Sequence, residues 1–229
     1  MAIRDIAGYS LMKVFPFPKC IKFGSLVAGV FTVCAFAMTA SAGDADAGKS
    51  LSTACAACHG GDGNSIAPAN PIAPVNPKLA GQGEVYLLKQ LKDIQSGERD
   101  IPLMSGQLNN MSEQDLADIA AFYSSQTQTA GAADKDLVAL GKEVYRNGNH
   151  ERGIAACAGC HGPAGEGNAP AGFPRISGQH ADYIAAQLRG FAEGSRVNDG
   201  ETRAMRGVAE RMNENEIKAV ASYIEGLRY

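Results

Sequence analysis

The 229-residue chain carries 21 Lys and Arg against 24 Asp and Glu, a formal net charge of −3, and has no tryptophan. A slightly acidic chain lacks the basic face that nucleic acid demands, which excludes that partner class. Six cysteines are present, but four of them sit in two tight clusters, so no disulfide framework is available.

The chain opens on an export signal. Arg4, Lys13, Lys19 and Lys22 stand against the single acid Asp5, and an apolar and small-residue run extends from Phe23 to Ala40. Ala40-Ser41-Ala42 then meets the small-x-small rule for signal peptidase, so residues 1–42 are expected to be a signal peptide removed after Ala42. The rival reading is an uncleaved anchor, because eighteen such residues just suffice to span a bilayer. Gly, Ser and Thr dilute the run and favour cleavage. Lipid attachment at Cys34 is disfavoured by the preceding Val33. Cleavage removes Cys20, Cys34, four bases and one acid, leaving 17 bases against 23 acids, a net of −6. The cysteines that remain are Cys55, Cys58, Cys157 and Cys160.

After the signal, "DADAGKSLSTAC" predicts a short amphipathic helix with an acidic start that suits the helix dipole. It runs into "CAACHG" at 55–60, and a proline-rich loop, "APANPIAPVNP", follows. "GEVYLLKQLKDIQSG" is apolar at i, i+3 and i+4 and closes on Gly, the pattern of a second helix. Ser112-x-x-Asp115 is a capping box that opens a last helix. The polar, small-residue stretch "SQTQTAGAADKD" has no apolar periodicity and reads as a linker, placed at 128–135. The chain then repeats the order: "DKDLVALGKEVYRNG", "CAGCHG" at 157–162, "ADYIAAQLRGFAEG", and a helix opened by Asn213-x-x-Glu216. His59 and His161 are 102 residues apart, and "PKLAGQGEVYLLKQL" matches "PRISGQHADYIAAQL" at an offset of 97. The insertions that shift the offset fall in loops, so this is a duplicated domain (43–127 and 136–229) and not a solenoid. No alternating β-branched run suggests a sheet. The expected architecture is two tandem all-α domains.

Three chemistries compete for a Cys-x-x-Cys-His cluster. Zinc wants two cysteine pairs some 15–20 residues apart, and here the pairs are about a hundred apart in separate domains. A thioredoxin-like dithiol needs a βαβ setting, which is absent. In an exported chain the string is the c-type haem attachment signal. Two thiols on one helical turn each add to a haem vinyl group, and the next residue, His59 or His161, is held under the iron. A flat apolar cofactor also supplies buried surface that a helical domain of about 85 residues lacks.

Each half offers two methionines seven residues apart for the sixth iron position, Met104 or Met111 and Met205 or Met212. Met111 and Met212 immediately precede the N-caps Ser112 and Asn213, where they serve as hydrophobic staples against Leu116 and Ile217. Met104 and Met205 lie in loops free to point a thioether at iron, and are taken as the ligands. His150 and His180 read as surface histidines without a role.

Taken together, "LSTACAACHGGDGNS", "PKLAGQGEVYLLKQL", "AGFPRISGQHADY" and "MRGVA" resemble the di-haem cytochrome c4 family of tandem class I cytochromes c. The resemblance covers essentially the whole mature chain. It implies two covalently bound haems, at Cys55/Cys58 and Cys157/Cys160, with axial pairs His59/Met104 and His161/Met205. It further implies that the Pro77 and Pro174 carbonyls accept from the ligand histidines. The implied role is a periplasmic electron carrier of the respiratory chain, loosely associated with the membrane and working by outer-sphere transfer. Its implied partners are a quinol-oxidising complex as donor and a terminal oxidase or reductase as acceptor. The alternatives are the haem subunit of a larger dehydrogenase and a di-haem peroxidase, against which a methionine in both halves argues. Arg203 and Arg206 flank Met205, and residues 43–128 carry −5 against −1 for 129–229, so the C-terminal haem is expected to have the higher potential.

Overall fold

The structure is a computed structural model and describes residues 42–67 and 75–228. The expected signal segment and the expected extra residues of the proline loop, between 68 and 74, lie outside the described residues. Each half opens on a helix whose bounds follow its caps. Asp44 caps α1 (Ala45–Leu51) by accepting from the Asp46 and Ala47 amides. Its counterpart α5 (Val138–Asn147) starts later than the sequence suggests, because Asp134 and Lys135–Leu137 form a turn ahead of it, leaving no acid in its first helical turn. The cysteine clusters form one-turn helices, α2 (Ala56–His59) and α6 (Ala158–His161), each ended right after its histidine by Gly60 (φ 79°) and Gly162 (φ 81°). A side chain rarely adopts that backbone, so the glycine fixes where the turn stops.

The expected third helices appear as α3 (Glu84–Ser96) and α7 (Ala181–Glu193), each closed by a left-handed glycine. Both predicted capping boxes form, on α4 (Glu113–Ser124) and α9 (Glu214–Gly226). Two isolated bridges, Asn149 to Ile154 and Asn168 to Phe173, are the β-structure among the described residues.

In each half the first helix crosses the last at a glycine. A Cβ on Gly48 would collide with the Asp118 carbonyl of α4, and one on Gly141 with the Ala219 carbonyl of α9. The helices therefore approach backbone to backbone. Behind these crossings Leu116, Ile119, Ala120 and Tyr123 are buried in one half and Val144, Tyr145, Ala219 and Val220 in the other. Each buried Leu, Ile or Val among them contributes roughly 1.5–3 kcal/mol.

The described residues form one compact unit, and its two halves meet through polar groups. Arg99 donates to Gln90, Tyr183 and Gln187 at 2.8–3.1 Å, and Arg196 donates to Gln187, Gln90 and Tyr86 at 2.7–3.2 Å. Tyr86, Gln90 and Arg99 lie 97 residues before Tyr183, Gln187 and Arg196, so the interface is close to self-complementary. The stretch between the halves is tied down: Asn64 accepts from the Thr129 amide and donates to the Thr127 carbonyl, and Asp134 N–H donates to Ser222.

Two sequence expectations are corrected. His180 is buried, not a surface residue: its Nε2 donates to the Ser65 carbonyl of the other half at 2.9 Å. Ser65 of the other half sits against the ring with its carbonyl and its hydroxyl, which no local pattern announces. Met205 is not in a loop but in α8 (Ala204–Ala209), and Met104 ends a 3₁₀ turn, Pro102–Met104.

Candidate haem-binding sites

A carbonyl oxygen only accepts hydrogen bonds, so a histidine nitrogen facing one must carry the proton. His59 Nδ1 lies 2.9 Å from the Pro77 carbonyl, and His161 Nδ1 lies 3.0 Å from the Pro174 carbonyl. Both rings are therefore Nδ1–H tautomers whose Nε2 lone pair is left for a metal. Burial holds both imidazoles below their ordinary value, which keeps them neutral near pH 7. The proline loops reach them because Leu79 and Ala80 N–H donate to Gly63 O, and Ile176 and Ser177 N–H to Gly165 O. The acceptor carbonyls implied by the family resemblance are thus in place.

The cysteines are free thiols placed three apart on each short turn, Cys55 and Cys157 half-buried, Cys58 and Cys160 exposed. Burial pushes the Cys157 thiol up to about 11 and raises Cys55 as well. Redox dithiols and zinc thiolates need the opposite, a depressed value. Among the described residues no group of three or more His, Cys, Asp or Glu is arranged to hold a metal ion. S–H addition across a vinyl bond makes a thioether, and two thiols beside one imidazole nitrogen match the donor set of covalent haem. The Tyr123 hydroxyl, buried beside Cys55 and Ser52, makes no hydrogen bond of ordinary geometry, as expected where a further polar group belongs.

The methionines divide less simply. Met205 and Met212 both pack on the apolar cluster that Cys157 joins, while Met111 packs on the cluster that Cys55 joins. Met111 and Met212 thus have a packing role, and Met212 shares its cluster with Ile217 as a staple requires. Met104 is half-buried and takes no part in the described N-terminal cluster. His150 is exposed, as the sequence suggests.

Residues that the sequence reading passed over line the same region. Gln82 and Gln179 sit inside the repeated "AGQG" and "SGQH", a signal that was visible but carried no assigned role. Tyr145, which donates to the Gly162 carbonyl at 2.6 Å, aligns with no tyrosine in the other half that could have marked it.

Comparison with known proteins agrees with this chemistry. Residues 45–127 and 138–228 each match the cytochrome c family. Cytochrome c4 of Pseudomonas aeruginosa is 50% identical over 202 residues, covering 88% of this chain and 98% of that protein. A thiosulfate dehydrogenase electron acceptor of Stutzerimonas stutzeri is 36% identical over 173 residues, 74% of this chain and 77% of that one. The crystal structure of reduced recombinant cytochrome c4 from Pseudomonas stutzeri superposes with a TM-score of 0.77 at 49% identity, covering 82% of this chain and all of that one.

Proposed function

The chain belongs to the cytochrome c4 family, di-haem c-type cytochromes that transfer electrons to and from redox proteins, and from that premise we propose a periplasmic shuttle of the respiratory chain. Cys55 and Cys58 hold the N-terminal haem by thioethers and Cys157 and Cys160 the C-terminal one. His59 and Met104 would hold the N-terminal iron, and His161 and Met205 the C-terminal one. The haem supplies a one-electron iron couple, and methionine ligation places its potential in the range of a late-chain carrier. The protein's part is to fix the imidazole by a carbonyl, leave no exchangeable position, and exclude water. A quinol-oxidising complex is the donor and a terminal oxidase or reductase the acceptor, reached from the periplasm after removal of residues 1–42. Among the described residues no helix is long and apolar enough to cross a membrane.

The observation that carries this reading is a carbonyl-locked histidine next to two thiols, found once in each half. The test is carbon monoxide added to the reduced protein at neutral pH. A carrier with both positions closed leaves its spectrum unchanged, whereas a peroxidase-type iron binds the gas. A second reading, a haem subunit delivering electrons from a dehydrogenase, is favoured by the relative named as a thiosulfate dehydrogenase electron acceptor. Rapid reduction by such a dehydrogenase with its substrate, and none by a quinol-oxidising complex, would select it.

A further inference from the structure

The peptide bond that follows each proline does two things at once. Its carbonyl, Pro77 O, accepts from His59 Nδ1 at 2.9 Å, while its N–H, on Lys78, donates to Gln179 Oε1 at 2.9 Å. In the other half Pro174 O accepts from His161 Nδ1 at 3.0 Å, and Arg175 N–H donates to Gln82 Oε1 at 2.8 Å. The glutamine always comes from the opposite half. Each amide also returns a bond from Nε2, to Lys78 O at 2.9 Å or to Arg175 O at 2.8 Å, so it grips one residue's backbone with both ends. Gln82 and Gln179 are 8% and 4% exposed. Lys78 Nζ adds bonds to the Thr129 and Gly178 carbonyls, which hold the N-terminal peptide further.

Hydrogen bonds in a chain polarise one another. An acceptor on a peptide N–H shifts electron density toward the carbonyl oxygen of the same peptide. That oxygen then accepts more strongly from the imidazole N–H and makes the ring a more basic ligand. We propose that Gln179 and Gln82 are positioning residues acting across the interface, Gln179 on His59 and Gln82 on His161, so that each haem's potential is set in part by the docking of the other half. The inference rests on the reading of His59 and His161 as axial ligands. A more basic ring favours oxidised iron, so losing the glutamine raises the potential of the haem in the opposite half.

The experiment uses full-length, haem-loaded protein with Gln179→Met or Gln82→Met, which keep side-chain length and remove both bonds. Haem potentials are read by spectroelectrochemistry, and ligand-ring signals by NMR of the oxidised protein. Gln179→Met is expected to raise the N-terminal potential and move the His59 ring signals while the C-terminal haem stays put. Gln82→Met does the reverse. Asn198→Leu is the control: Asn198 donates to Gln90 and Asp93 in this interface and touches neither peptide, so it shifts both haems alike or neither. A Gln179→Met effect that is absent, equal on both haems, or confined to its own half overturns the inference. Missing ligand-histidine signals in the unaltered protein would instead overturn the ligand assignment itself.

Discussion

The two halves share a donor set and differ in how they support it. By the repeat, Gly48 of α1 answers Gly141 of α5, which makes Ser52 the counterpart of Tyr145, and Tyr123 of α4 the counterpart of Ile224 of α9. The N-terminal half thus brings its buried tyrosine from the last helix and the C-terminal half from the first. One hydroxyl is bonded to Gly162 O; the other lies beside Cys55 and Ser52 without a hydrogen bond of ordinary geometry. The methionine segments differ too. Met205 sits in a helix whose next residue, Arg206, is pinned to half-buried Asp199 through both Nε (2.6 Å) and its backbone N–H (2.9 Å). Met104 ends a three-residue turn beside Leu103, which is 67% exposed. Duplication kept the chemistry at fixed positions and let the packing around it drift. The C-terminal methionine is the better supported of the two.

The largest effect should strike what the halves have in common. Gly48→Val and Gly141→Val drive a side chain into the facing backbone, and each should destabilise its own half by about 3 kcal/mol. Thermal unfolding followed at the haem absorbance checks it, and one half responding far less would break the symmetry. Next come the methionines. Met104→Ala and Met205→Ala should each open one iron to carbon monoxide, but Met205→Ala should in addition cost about 1–2 kcal/mol, since Met205 packs on the C-terminal core. Met111→Ala and Met212→Ala should lower stability without opening either iron. Carbon monoxide binding by the Met111 variant and not by the Met104 variant would reverse the N-terminal ligand assignment.

A smaller effect concerns charge. The sequence places Arg203 and Arg206 together beside Met205 as a source of raised potential, but the ion pair with Asp199 cancels most of the Arg206 charge. Asp199→Asn should release that charge and raise the C-terminal potential while the N-terminal one stays fixed, as redox titration will show. The smallest effect is a pH dependence of the interface. Burial, the largest cause, and the nearby Lys78 hold His180 below its ordinary value, against the Ser65 carbonyl, Glu225 and Asp182, which favour the charged ring. The folded protein therefore resists a proton that the unfolded chain takes up. The stability from His180 is complete above about pH 6.5 and is lost as the pH falls below it. The melting temperature should drop between pH 7 and 5 in the unaltered protein, and less steeply in His180→Gln.

The helices and both Cys-x-x-Cys-His turns were legible in the sequence because their causes are local. Ser112-x-x-Asp115 and Asn213-x-x-Glu216 carry their own caps, and Cys-x-x-Cys-His needs a single turn. What escaped depends on the other half. His180 looks solvated until Ser65 is placed against it, and Gln82 and Gln179 look like surface amides until each meets the opposite proline loop. Helix α8 escaped for a related reason: its start at Arg203, in the left-handed region at φ 50°, is stabilised by Asp199 seven residues before Arg206, a loop contact without periodicity.

The most direct measurement is a spectroelectrochemical titration of the mature protein with the sulfur-to-iron charge-transfer band followed at each step. Two one-electron steps are expected, the lower in the N-terminal half, each consuming part of a band that both oxidised haems contribute. A single haem, or a step in which a haem is reduced without loss of that band, would contradict two histidine–methionine centres.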